Sequence, residues 1–281
     1  MWRTEKKILI LVQARVSSSR LPGKVLLPIL DKSLLHLMIE RLQMVNYNVE
    51  IAIITSTQTE DDAIEIESSK IGIYCFRGSL LNLLDRHYQA ACFFEADLVV
   101  KIPSDCPLID PKIIEKVFDY YFTNEGQFDY VSNLHPASYP DGNDVEIMTI
   151  ECLRKVWLEA SKPFELEHTT PYIWENPNLF SIGNYFWEAG LNLSMLFRFT
   201  IDYQEDYEFI KRVFEELYQE NNSFSCEDII NLLNTKPDIL QINQKYAGVN
   251  WYRNHLNELT TISITDTKLM PTESDLAKYY Q

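Results

Sequence analysis

Two stretches of the chain concentrate residue types that handle phosphate and divalent cations. The first, Gln13-Ala14-Arg15-Val16-Ser17-Ser18-Ser19-Arg20-Leu21-Pro22-Gly23-Lys24, sets two arginines, a lysine and three consecutive hydroxyls around a Pro-Gly turn. Small residues let backbone N–H groups approach phosphate oxygens, while Arg15, Arg20 and Lys24 neutralise a triphosphate and its departing pyrophosphate. A solvated basic loop is the plainer reading, but three cations packed after a buried strand are unusual in so acidic a chain. The pattern is neither G-x-x-x-x-G-K-[ST] nor G-x-G-x-x-G, which disfavours a P-loop ATPase or a dinucleotide fold.

The second stretch is Lys101-Ile102-Pro103-Ser104-Asp105-Cys106-Pro107-Leu108-Ile109-Asp110. Asp105, held between two prolines, is placed either as a magnesium ligand or as a turn cap. Asp202, after Phe197-Arg198-Phe199-Thr200-Ile201, offers a second carboxylate, or caps the helix that follows, or does both. Two carboxylates at strand ends can share one Mg2+ and leave its other positions to phosphate oxygens and water.

These loops need a frame. Continuous apolar runs separated by helix-period segments predict an α/β fold, a mostly parallel sheet with helices on both faces, whose ligands bind beyond the carboxyl ends of the strands. Ile8 to Val12, Ile51 to Thr55, Ile71 to Phe76 and Leu98 to Ile102 read as buried strands. Leu34, Leu35, Met38, Leu42 and Val45 fall on one helical face, and Leu80, Leu81, Leu84, Tyr88 and Ala91 on another. Residues 129–182, rich in proline, predict loops with a small extra sheet. Met195 to Ile201 then reads as a strand, Glu205 to Tyr218 as a helix and Cys226 to Leu233 as another, while Phe118, Tyr120, Tyr121 and Phe122 read as core. With no internal repeat or low-complexity linker, the chain divides into one domain over 1–240 and an extension of unknown role over 241–281.

Composition narrows the partners. A chain of 281 residues that is 46% hydrophobic can bury a large core. Its formal charge of -16 opposes a nucleic-acid or anionic-membrane partner, although local cations can still hold a small anion. Five scattered cysteines without a C-x-x-C pair fit a reducing compartment, and no apolar run is long enough for a signal peptide or a span, so a cytoplasmic location is expected.

The ordered set QARVSSSRLPGK, Phe76-Arg77-Gly78-Ser79, Leu84-Asp85-Arg86-His87-Tyr88, Ser104-Asp105-Cys106-Pro107-Leu108-Ile109-Asp110, Asp129-Tyr130-Val131-Ser132-Asn133, Pro140-Asp141-Gly142-Asn143-Asp144-Val145-Glu146, Glu167-His168-Thr169-Thr170-Pro171-Tyr172-Ile173 and Thr200-Ile201-Asp202-Tyr203 resembles the cytidylyltransferase family named for spore coat polysaccharide biosynthesis protein F. That family is similar to the CMP-sugar synthetases that activate sialic acid and 3-deoxy-octulosonate, and the resemblance spans about Ile8 to Leu217. It implies a Rossmann-like nucleotide-diphospho-sugar transferase fold, CTP as donor, and a nucleotide loop of Gln13, Ala14, Arg15, Arg20 and Lys24, with Lys24 nearest the reacting phosphorus; Ser19 joins that loop.

The resemblance further implies that Ser56, Gly78, Asp85 and Arg86 lie near base and ribose, and that Asp105 and Asp202 hold magnesium. Asp141, Asp144, Glu146, Glu167, His168 and Arg198 line the acceptor side, with Arg198 pairing the carboxylate of an acidic sugar such as a nonulosonic acid. A sugar or polyol phosphate is the other acceptor. Residues 129–182 carry acceptor binding and dimerisation, giving a homodimer.

Plainer readings of several of these residues stand beside the resemblance. Asp85-Arg86 is also a surface pair, Asp141-Gly142 a turn, and Glu167-His168 the start of a helix, while Asp144 and Glu146 act together only if the following strand alternates them to one face. Ser17, Ser18 and Ser104 stand where the family has glycine or glycine-serine, so hydroxyls either replace backbone contacts to phosphate or weaken nucleotide binding. The competing classes are a glycosyltransferase that consumes a nucleotide sugar and a degenerate nucleotide-binding scaffold.

Overall fold

The structure is a computed structural model and describes residues 6–270. Its centre is β1 (Ile8–Gln13), a run buried up to its last residue, flanked in parallel by β2 (Val49–Ser56) and β4 (Leu98–Pro103). Parallel pairing continues outward to β3 (Tyr74–Gly78). On the other side β6 (Glu146–Thr149) runs antiparallel to β4 and to β5 (Tyr130–Ser132), and β7 (Ile182–Asn184) closes the edge parallel to β5. The order β3-β2-β1-β4-β6-β5-β7 is thus a mostly parallel seven-stranded sheet.

Alternation along β1 feeds two cores. Ile8, Ile10 and Val12 pack on one face with α1 (Leu34–Leu42) and α4 (Pro111–Thr123), whose Phe118 and Tyr121 are buried. Leu9 and Leu11 pack on the other face with α3 (Leu83–Phe93) and α5 (Ile150–Glu159). Burial on both faces is why these strands are apolar throughout rather than alternating. A third cluster joins α8 (Gln204–Leu217) and α9 (Cys226–Thr235) to Leu34, Leu37 and Phe199.

Three expectations need correction. The third strand begins at Tyr74, because α2 (Asp62–Ile71) keeps Ile71 and ends at Gly72. The small extra sheet lies at Pro28–Ile29 and Lys32–Ser33; the strands of residues 129–182 instead extend the main sheet. Met195 to Ile201 forms no strand and makes only one isolated bridge, Asp141 to Arg198. Its backbone is taken by two loops: Phe199 N donates to Asp141 O at 2.7 Å and Ile201 N to Asp105 O at 2.9 Å. Of the expected extension, the described part folds back over the domain, and residues 271–281 lie outside the described residues. Among the described residues no helix is long and apolar enough to cross a membrane.

Candidate active site

The in-register pairing of Gln13 with Pro103 starts two loops side by side, and Ser104 N donates to Gln13 O at 3.2 Å. Beyond these strand ends opens a cleft of about 1290 Å3. The first loop is tied down at its root: Val16 N and Ser56 N donate to the Asp61 carboxylate at 2.7 and 3.2 Å, and Ser56 Oγ donates to it as well. Ser56 therefore holds the loop through Asp61 and does not line the cleft.

Lys24 follows the loop and is nearly enclosed, its side chain 11% exposed. Its ammonium donates to Asp105 at 3.1 Å, Asp202 at 3.0 Å and the Ile201 carbonyl at 2.6 Å. Burial alone would lower its pKa, but the two carboxylates outweigh burial and raise it. Arg20 reaches Asp202 at 2.7 Å. Asp202 is held well below the usual carboxylate range, since Lys24, Arg198 and Arg20 overcome the cost of its burial. It is not the cap of α8: Tyr203 takes that position, and Asp206 accepts from Asp202 N at 2.9 Å and Tyr203 N at 3.0 Å. That leaves the Asp202 carboxylate for the cations.

Asp105 and Asp202 thus converge on one cationic point, now held by Lys24 Nζ. Among the described residues no group of three or more His, Cys, Asp or Glu is placed to hold a metal ion, so a divalent ion here needs phosphate oxygens and water beside these two carboxylates.

Asp141, Asp144 and Glu146 line the floor of the cleft. Gly142 makes their turn possible, with φ +103 and the Phe199 carbonyl carbon 2.6 Å from where a Cβ would stand. Asp144 and Glu146 both line the cleft while Val145 between them belongs to the core, the alternation already set in the segment that leads into β6. Burial, reinforced by Asp105, pushes Asp144 up to about 6, and Asp141 is raised well above its usual range by burial despite Arg198. Glu146 goes the opposite way, because its buried ion pair with Lys101 outweighs desolvation. Tyr130 also donates to it at 2.6 Å. Lys101 interrupts an apolar strand, which was the signal for this pair.

Arg198 corrects the expectation of an acceptor carboxylate partner. Its side chain is 1% exposed, with Nε donating to Asp206 at 2.9 Å, Nη1 to Asp141 at 3.3 Å and the Val249 carbonyl at 2.7 Å, and Nη2 to Asp202 at 3.0 Å. Four acceptors leave it at most one N–H, and its side chain is almost wholly buried where it borders the cleft. It is a buried post that braces both acidic loops.

Asp85 and Gly78 also stay outside the cleft. Asp85 accepts from Trp157 Nε1 at 2.9 Å, joining α3 to α5. Gly78 admits Arg86, whose Cγ lies 2.9 Å from where a Cβ would be. Arg86 lines the cleft while binding the Ser79 carbonyl at 2.8 and 2.6 Å. Gln13, Ala14, Arg15, Ser19, Glu167 and His168 line it too, with Arg15 and Glu167 4.0 Å apart. Glu167 and His168 end α6 (Pro163–His168) rather than starting a helix.

One wall comes from the extension. Trp251 stacks on His168 with centroids 3.7 Å apart, and Tyr252 reaches Trp174 and His135, which themselves stack at 4.4 Å. Burial pushes His168 down to about 3 and His135 to about 4, so both rings are neutral. The sequence carried no local signal for this wall, because its partners come from distant segments.

A family profile described as cytidylyltransferase matches residues 9–230. The chain is 34% identical over 244 residues to an uncharacterised protein of Methanocaldococcus jannaschii, covering 84% of this chain and 94% of that one. It is 31% identical over 237 residues to the spore coat polysaccharide biosynthesis protein SpsF of Bacillus subtilis, covering 82% and 95%. A cytidylyltransferase structure from Leptospira borgpetersenii superposes with a TM-score of 0.79 at 35% identity, covering 84% of this chain and 97% of that one. A CMP:2-keto-3-deoxy-manno-octonic acid synthetase complexed with CTP shares the fold at a TM-score of 0.57 and 18% identity, covering 75% and 99%.

Proposed function

The chain belongs to the cytidylyltransferase family, a family of nucleotidyltransferases, and on that premise we propose that it transfers CMP from CTP to an acidic sugar-like acceptor, with release of pyrophosphate, for polysaccharide biosynthesis. The observation that carries the reading is the convergence of Lys24, Asp105 and Asp202 at the strand ends. Transfer at the α-phosphorus needs alignment and charge neutralisation more than a covalent nucleophile. Arg15, Arg20 and Lys24 line the cleft and carry the charge that would stabilise a pentacoordinate phosphorus and the leaving pyrophosphate.

Asp105 and Asp202 would hold Mg2+, which when bound neutralises the phosphates and orients them. Lys24, whose ammonium sits on those carboxylates here, would turn to the phosphate. Asp144 lines the floor of the cleft, where burial and Asp105 push its carboxyl up to about 6. A relative from Solibacter usitatus, 35% identical over 114 residues covering 39% of this chain and 43% of that one, is a 3-deoxy-manno-octulosonate cytidylyltransferase, which supports an acidic sugar. A nonulosonic acid fits the same chemistry. A cytoplasmic homodimer completes the proposal.

The test is pyrophosphate release from CTP and Mg2+ with a panel of 3-deoxy-manno-octulosonate, a nonulosonic acid and a polyol phosphate, with mass spectrometry of the products. A CMP-linked acid is expected. Transfer to the polyol phosphate alone would replace the acceptor class, and consumption of a nucleotide sugar instead of CTP would overturn the reaction.

A further inference from the structure

With Arg198 enclosed, an acidic acceptor needs another cation. The cations lining the cleft are Arg15, Arg20, Lys24, Arg86, Lys101, Arg198 and Arg253. Lys24 and Arg20 are engaged by Asp105 and Asp202, Lys101 by Glu146, and Arg198 by three carboxylates. Arg86 is turned into carbonyls, and Arg15 stands by Glu167. Arg253 has no carboxylate partner among the described residues. It makes two long contacts, Nη1 to the Asn250 carbonyl at 3.4 Å and Nη2 to Tyr203 Oη at 3.3 Å, which leave N–H groups to spare.

Its place suits the task. Tyr203 follows Asp202, and Arg20 lies over the Tyr203 ring at 5.5 Å, so an anion on Arg253 sits beside the charged centre. Arg253 belongs to the short turn Trp251–Asn254, which also supplies the ring stacked on His168. Neutral aromatic rings offer π faces, C–H edges and a few polar ring N–H groups, and carry no net charge. The turn lies beyond residues 9–230 matched by the family profile.

We propose that Trp251–Asn254 forms the acceptor subsite, with Arg253 holding the acceptor carboxylate and Trp251, stacked on His168, receiving its uncharged body. This rests on the acceptor reading above. Arg253 is a binding residue and takes no part in the bond changes at phosphorus.

The probes are 3-deoxy-manno-octulosonate and its uncharged methyl ester, used with the full chain, CTP and Mg2+. Arg253→Gln should raise KM for the acid by about 10- to 100-fold, with the ester moved less than about twofold and CTP affinity by calorimetry unchanged. Arg253→Lys should recover much of the loss, and Trp251→Ala should weaken acid and ester alike. Equal losses for acid and ester in Arg253→Gln, no loss at all, or a loss of CTP affinity each overturn the anion site. If wild type binds the acid through Arg253 but releases no pyrophosphate, the transfer reading fails and the subsite stands. If wild type binds no acid, the subsite falls.

Discussion

The cleft has two differently built ends. At the phosphate end Lys24, Arg20 and two aspartates lock into a compensated charge cluster, each supplied by a loop at the end of a strand or beside it. Elsewhere in the same cleft His168, Trp251, Trp174, Tyr252 and His135 form an aromatic wall with neutral imidazoles, and Arg253 beside it has no carboxylate partner among the described residues. The first arrangement suits chemistry that develops charge, because its dipoles and charges are set before reaction. The second suits recognition, where shape and a single anion contact decide which acceptor stays. Variants at the two ends should therefore separate turnover from acceptor affinity.

The largest effect expected is at the phosphate end. Lys24→Ala and Asp105→Asn should each lower turnover by about 100- to 1000-fold, with circular dichroism and acceptor binding little changed. Near-normal pyrophosphate release from both would dissolve the contrast. Next comes the post that joins the ends. Asp206→Ala removes a fully buried partner of Arg198 and the acceptor for Asp202 N and Tyr203 N, and should cost about 3–5 kcal/mol in urea unfolding. A loss under about 1 kcal/mol would mean that Asp141 and Asp202 alone compensate the guanidinium.

Much of this was legible because strand-end logic is local. A buried apolar run followed by Arg15, Arg20 and Lys24 fixes where those cations stand, and the pairing of β1 with β4 brings Asp105 beside them. Arg198 was misread because its decisive partner, Asp206, sits one turn into the next helix, where an acid reads as an ordinary N-terminal residue. Asp85 and Ser56 turn away from the cleft because side-chain direction within a motif depends on tertiary neighbours, here Trp157 and Asp61. The aromatic wall depends on contacts between α6 and the extension, and neither segment has a pattern that announces the other.

Two groups that line the cleft, Asp144 on its floor and His168 in its aromatic wall, should answer pH with opposite signs. Asp144, pushed up to about 6, holds a proton in the folded state that the unfolded chain has already lost, so its contribution falls as pH rises from about 4 to about 6. His168, pushed down to about 3, stays neutral while the unfolded chain takes up a proton near pH ~6.5, so stability is lost as pH drops below that value. Urea titrations between pH 4 and 7 should find Asp144→Asn gaining on wild type as pH rises and His168→Gln gaining as it falls. Each slope is at most about 1.4 kcal/mol per pH unit. Parallel curves for the three proteins would mean that neither group titrates as its surroundings require.

The smallest effect sharpens the boundary of the nucleotide end. Asp85 falls in a motif that the resemblance assigns to base and ribose, yet its carboxylate accepts from Trp157 Nε1 at 2.9 Å and from Gln89 Nε2 at 3.1 Å. Tyr88 stacks on the same indole at 4.5 Å, so the contact belongs to the packing of α3 against α5. Asp85→Ala should cost about 0.5–1.5 kcal/mol in stability, the ordinary worth of one such hydrogen bond. The KM for CTP should stay within about twofold, because this carboxylate does not line the cleft. A tenfold rise in that KM with unchanged melting would instead bring Asp85 into the cleft and extend the charged end across α3.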